Sequence, residues 1–212
     1  MKKLNFIIKY GLALLLLSFY SCESWLNVTP SDRLSEEMLF NDREGFVKAL
    51  NGVYIELNTN ELYGRNLTAG ALDVMGQYYS VASSSHAFYN YGGLVYTGND
   101  EKALFDNMWQ KCYAVIACCN TIIEKCDENK AGLSPVWKGS IKGEALALRA
   151  MLHFDMLRLF GPLTSELDKE SIPYQTNSDQ TVTPLLSGSE VIGLILDDLK
   201  NAVGLLKDTD PY

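Results

Sequence analysis

Apolar residues recur at intervals of three and four along four stretches of the chain, and this spacing predicts four helices. The first opens at Asn41-Asp42-Arg43-Glu44, which has capping-box spacing. It carries Phe46, Val47, Leu50, Val53, Tyr54 and Leu57 inward and stops before Asn58-Thr59-Asn60. The second starts after Asn99-Asp100 and runs towards Cys126, with Phe105, Trp109, Cys112, Ile116, Asn120 and Ile123 in one stripe that Leu104 and Met108 widen. Ser134 caps the third, and Pro135 sits in its first turn, where a missing N–H costs nothing. That helix ends at Gly161-Pro162, the glycine being free to adopt the left-handed closing conformation and the proline blocking continuation. The fourth follows the Ser187-Gly188-Ser189-Glu190 box and turns Val191, Ile192, Ile195, Leu196, Leu199, Ala202, Val203 and Leu206 inward, with Asp197, Asp198 and Lys200 on its outer face.

The segments between these helices read differently. Ala69 to Tyr79 has room for a short helix, and Thr164 to Leu186, rich in Ser, Thr and Pro, reads as irregular surface chain. Leu94-Val95-Tyr96 is the best strand candidate and is too short to organise a sheet. Long helices following one another predict an all-α fold of paired antiparallel helices with long irregular loops, although no fixed sequence period is visible.

The first 21 residues stand apart from this pattern. Lys2, Lys3 and Lys9 precede an apolar run from Leu12 to Leu17, and Phe19-Tyr20-Ser21 leads to Cys22, the layout of a secretory signal. The run is shorter than the roughly 20 residues that span a bilayer as a helix. Cys22 occupies the place where a bacterial lipoprotein signal carries its acylated cysteine; the competing reading is an unmodified Cys at the start of a secreted protein. Loss of the leader takes the formal net charge from −8 to −11, because it removes three lysines and no acids. So acidic a chain is a poor partner for nucleic acid or anionic lipid, and an acyl group rather than charge must hold it to a membrane.

Four cysteines remain: Cys112, Cys118, Cys119 and Cys126. Three of them fall seven apart, about 10 Å along a helix, too far for a disulfide with one another. They read as small apolar core residues, with a disulfide to another helix still open. There is no C-x-x-C pair and only two histidines, His86 and His153, so no metal site is expected. Nor is an enzyme: phosphate loop and nucleophile elbow are both missing, and His153 reads as a packed helix histidine.

Several segments together resemble the SusD/RagB family, surface nutrient-binding lipoproteins that accompany TonB-dependent transporters in Bacteroidetes. They are Cys22 followed by Trp25-Leu26-Asn27-Val28-Thr29-Pro30; Leu39-Phe40; Ala49-Leu50-Asn51-Gly52-Val53-Tyr54; Trp109, Tyr113, Ile116 and Asn120-Thr121-Ile122-Ile123; Gly143 to Ala150 through His153-Phe154-Asp155 to Arg158-Leu159-Phe160-Gly161-Pro162; and Asp198-Leu199-x-x-Ala202. The resemblance implies residues 1–21 as signal peptide and residues 22–212 as the N-terminal, tetratricopeptide-like part of a longer family fold. It implies a lipid anchor at Cys22 in the outer membrane, capture of oligosaccharides for a TonB-dependent transporter, and no cofactor. Trp109, Asn120, Glu144, Arg149 and Gly161 fall in its motifs, and we read them as architectural. Arg149 and Asp155 lie in an otherwise apolar helix, where burial would demand partners.

The stretch from Val74 to Asn99 contains no Asp, Glu, Lys or Arg yet holds six tyrosine or phenylalanine rings among Ser, Asn and Gly. Flat rings suit the C–H face of a sugar, and the amides of Gln77, Asn90 and Asn99 suit its hydroxyls. Tyr79, Tyr89, Asn90 and Tyr91 are the candidate ligand residues. The competing reading gives these rings a packing role, with the protein a scaffold for a transporter or a peptide binder.

Overall fold

The computed structural model describes residues 36–179 and 181–206, so the signal-like segment, Cys22 and the Trp25–Pro30 motif lie outside the described residues. All of the regular structure is helical: α1 (Glu36–Leu39), α2 (Arg43–Leu57), α3 (Ala71–Met75), α4 (Tyr89–Gly92), α5 (Asn99–Glu128), α6 (Pro135–Phe160) and α7 (Gly188–Leu205). Among the described residues no strand forms; Leu94-Val95-Tyr96 is loop, and the one isolated bridge joins Glu170 to Ser187.

Local chemistry sets the helix ends. Ser134 Oγ accepts from Trp137 N–H with Pro135 behind it, and Ser187 and Glu190 complete a reciprocal capping box. At α2 the cap is Asp42, not Asn41: its carboxylate accepts from Gly45 N–H at 2.8 Å, and the box with Glu44 does not form. Gly161 closes α6 in an extended conformation, φ −81°, not the left-handed one expected. Its glycine answers to space, since a Cβ there would stand 2.4 Å from Leu157 O. Gly161→Ala should therefore cost roughly 1–3 kcal/mol through overpacking, visible as a lower midpoint in urea unfolding.

The three long helices stack as antiparallel neighbours. Trp109 meets Phe160, Cys112 meets Leu152, Asn120 meets Arg149 and Asp127 meets Lys142, so α5 and α6 run in opposite directions. Arg149 meets Asp198 while a Cβ on Gly143, further back along α6, would strike Leu206 Cγ at 2.8 Å; α6 and α7 are therefore antiparallel and close. Helix α2 lies across this layer through Tyr54 Oη, which donates to Glu144 at 3.0 Å, and through the Glu56–Lys111 ion pair. This is the paired antiparallel arrangement that the periodicity predicted, in the tetratricopeptide-like form that the resemblance implied. The common core holds Phe46, Met108, Ile116, Ile122, Ile141, Leu152 and Met156, all fully buried.

Two predicted faces were assigned wrongly. Helix α7 packs through Val191, Ile195, Asp198 and Ala202, whereas Leu196, Leu199 and Val203 face outward and Leu206, just past its end, is half-exposed while resting against Gly143. Asp198, expected on the outer face, is buried. The Thr164–Leu186 connection is irregular but not confined to the surface: Ile172 and Tyr174 are buried, and the chain around them crosses the helix layer as a strap.

Candidate functional site

The charge-free stretch folds into a loop anchored on α3, α4 and the first turns of α5. Ala71, Val74 and Tyr91 form a small apolar cluster of their own, joined by Phe88, Leu104 and Phe105, the last two of which also border the main core. Tyr91 is only 3% exposed, and its ring meets Phe88 and Phe105 edge-on at 5.9 and 6.0 Å. It is the ring that fastens the loop. Tyr89, two residues earlier in the same helical turn and hence pointing away, is 42% exposed.

The other candidates fall around it. Tyr79 is partly exposed, and its hydroxyl donates to the Ala69 and Gly70 carbonyls, which leaves its ring face as the free surface. Tyr78 and Tyr96 are also exposed, Tyr96 resting its edge on Phe105 at 5.6 Å. Asn90 is committed: its Nδ2 donates to Glu101 Oε1 at 2.7 Å, and that bond holds the Glu101 carboxyl below the usual carboxylate range. Gln77 is likewise committed, Nε2 donating to the carbonyls of Gly92 (2.9 Å) and Val74 (3.3 Å). The structure thus leaves Tyr78, Tyr79, Tyr89 and Tyr96 as exposed rings on a loop whose amide side chains brace it from within.

Two of the motif residues, Asn120 and Arg149, meet elsewhere, in a buried polar network between α5, α6 and α7. Arg149 makes a two-pronged ion pair with Asp198, Nε to Oδ2 and Nη2 to Oδ1, both 2.7 Å. Its third arm, Nη1, donates to Asn120 Oδ1 at 2.8 Å. The Asn120 amide then donates twice, to Gln175 O (3.1 Å) and Asn177 O (3.0 Å), so one side chain ties the guanidinium to the strap. Tyr174 Oη donates to Asp198 Oδ2 at 2.6 Å, and its ring stacks on His153 at 3.9 Å. Glu124 accepts Ser178 N–H and Oγ–H, and Tyr113 Oη donates to Pro173 O. A cleft of about 600 Å³ opens beside this network, lined by Ile123, Lys142, Leu146, Arg149, Asp198 and Asn201, and none of the loop tyrosines lines it.

Donor and acceptor logic fixes the state of His153. Gln175 N–H can only donate, so Nε2, 3.0 Å away, must be the unprotonated acceptor, and Nδ1–H donates to Arg149 O at 2.9 Å. Burial pushes the imidazole pKa down to about 4, with the Arg149 cation adding to the effect, against the opposing pull of its bond to Arg149 O and of Asp198. It is a neutral structural histidine. Glu144 accepts from Tyr54 Oη at 3.0 Å, and Asp155 accepts from Tyr63 Oη at 2.5 Å and from Arg158 at 2.9 Å. Trp109 packs between Tyr113 and Phe160, the residue before Gly161. The four cysteines are free thiols; burial pushes Cys119 and Cys126 up to about 12, which makes them unreactive packing groups.

Comparison with known proteins shows what the chain as a whole is similar to. A SusD-like family profile, described as starch-binding and associating with the outer membrane, matches residues 24–211. The chain is 27% identical over 199 residues to SusD-like protein P38 of Formosa agariphila, covering 86% of this chain and 34% of that protein. It is 26% identical over 217 residues to SusD-like protein P2 of the same organism, covering 98% and 38%. A SusD superfamily protein of Bacteroides vulgatus superposes with a TM-score of 0.61 at 20% identity over 82% of this chain and 36% of its own. A second protein of that organism, described as sugar-binding, gives 0.64 at 25% identity over 80% and 38%. The chain therefore spans little more than a third of the length of these relatives.

Proposed function

This chain belongs to the SusD-like family, and from that premise we propose that it captures an oligosaccharide at the bacterial outer membrane and passes it to a TonB-dependent transporter without altering it. The observation that carries the reading is the exposed tyrosine set on a charge-free loop, braced from beneath by Tyr91. Rings offered on a fixed support lose little freedom when a sugar stacks on them, which is the condition for useful affinity from few contacts. The family description as starch-binding and the sugar-binding description of the second Bacteroides vulgatus structure support a glycan as the ligand. Attachment through Cys22 and exposure at the cell surface belong to the same proposal; the apolar leader with its preceding lysines and the outer-membrane association of the family support them.

The test is direct binding of the full chain to a panel of neutral oligosaccharides, malto-oligosaccharides first, by calorimetry. Tyr89→Ala and Tyr96→Ala should each weaken binding about tenfold, the equivalent of 1.4 kcal/mol, with little change in Tm. Tyr91→Ala should instead lower Tm, because that ring is buried. Binding of peptides but of no oligosaccharide would sink the glycan reading.

A further inference from the structure

Two residues in the tyrosine loop hold left-handed backbone without being glycine: Gln77, with φ 60°, and Leu94, with φ 53°. A bulky residue adopts this conformation only where its surroundings impose it, at a cost of order 1 kcal/mol or more. The imposing contacts can be named. Gln77 reaches across the loop with its side-chain amide to the carbonyls of Gly92 and Val74, which ties the end of α4 to α3. On the far side the buried Glu101, in the first turn of α5, takes the Asn90 amide. Between those two ties the backbone turns back on itself, with Leu94 N–H donating to Tyr91 O at 3.1 Å and Val95 N–H to Asn90 O at 3.0 Å. Tyr89 and Tyr96 stand on either side of that turn.

We infer that Gln77 and Glu101 are positioning residues, holding the Tyr89–Tyr96 segment in its binding shape before any ligand arrives. The inference rests on the glycan reading for its ligand but not for its geometry. Neither side chain need touch sugar: Glu101 is buried beneath Asn90, and the Gln77 amide is spent on two main-chain carbonyls. What they supply is order, so that the ligand does not have to pay for it on binding.

Two variants separate this role from a general contribution to folding. Gln77→Asn keeps a residue that tolerates left-handed backbone but removes one methylene from the reach to Gly92 O. Glu101→Ala removes the acceptor for Asn90, and Glu101→Gln restores a carbonyl in its place. In the free full chain, hydrogen exchange at the Leu94 and Val95 amides should quicken about tenfold in Gln77→Asn and Glu101→Ala and return towards wild type in Glu101→Gln. Affinity for maltoheptaose, or for whichever member of the neutral panel the wild type binds, should fall by a similar factor in the first two variants and recover in the third. Unchanged exchange overturns the inference whether or not a ligand binds. Quickened exchange with unchanged affinity overturns it as well, because order would then not limit binding. A wild type that binds no oligosaccharide while exchange still quickens removes the glycan reading, and the two side chains are then braces of a loop with another purpose.

Discussion

Asp198→Ala should destabilise the protein by about 3–5 kcal/mol, the range for removing one partner of a buried ion pair, and lower Tm by about 10 °C in a domain of this size. The carboxylate is the hub of three elements: it receives two Arg149 nitrogens from α6 and the Tyr174 hydroxyl from the strap, while itself belonging to α7. Alanine leaves the guanidinium, 8% exposed, with Asn120 as its one remaining described hydrogen-bond partner. Asp198→Asn should fall between, because its carbonyl still accepts one donor while its charge is lost. Arg149→Met combined with Asp198→Leu should recover part of the loss, since apolar groups of similar volume need no counter-charge. Recovery should stay incomplete, as the Asn120 carbonyl and the Tyr174 hydroxyl lose partners in the double variant. Urea unfolding of the four proteins reads out these differences, and a change below 1 kcal/mol for Asp198→Ala would refute the hub.

That hub was half legible in the sequence. Arg149 announced itself, as a charge inside an apolar helix that must find a partner. Asp198 did not, because α7 carries two apolar seams side by side. Val191, Ile195 and Ala202 face α6, and Ile192, Leu196, Leu199, Val203 and Leu206 form a second set at spacings of four and three. A search for apolar residues joins the two sets into one broad face and pushes every charge to the far side. Yet Asp198 completes the 191-195-198-202 spacing of the buried seam, so the register was present and only its polar member was misjudged. The caps at Ser134 and Ser187 were readable because each is decided within four residues.

The strap and the loop were harder, for different reasons. Ile172 and Tyr174 alternate with partly exposed Pro173 and Gln175, a period of two that lasts too few residues to stand out from polar surroundings. Its main-chain groups are satisfied by side chains from four distant positions, Tyr113, Asn120, Glu124 and His153, which no local pattern encodes. In the loop, composition marked out the stretch but could not sort its buried tyrosine from its exposed ones. Tyr89 and Tyr91 lie on opposite sides of one helical turn, so packing one inward exposes the other, and which of them goes inward depends on Phe105 from α5.

Acidification should weaken the fold through His153, and by an amount that can be isolated. The imidazole has a pKa of about 4 in the folded chain, against about 6.5 when unfolded. Above pH 6.5 both states are neutral there and stability is at its full value. Between pH 6.5 and 4 the unfolded state takes up a proton that the folded state refuses, so stability falls as pH falls, by roughly 3 kcal/mol across the interval. Structure gives the reason for the refusal: a proton on Nε2 would confront the Gln175 N–H donor and place a second cation beside Arg149 in a buried site, which outweighs the opposing bond to Arg149 O and the Asp198 charge. Comparing wild type with His153→Gln cancels the carboxylates that titrate in both. The stability advantage of the wild type at pH 7 should shrink by roughly 3 kcal/mol at pH 4. If NMR instead finds His153 titrating above pH 6 in the folded protein, the buried acceptor bond to the strap is not its resting state, and the argument from the Gln175 amide fails with it.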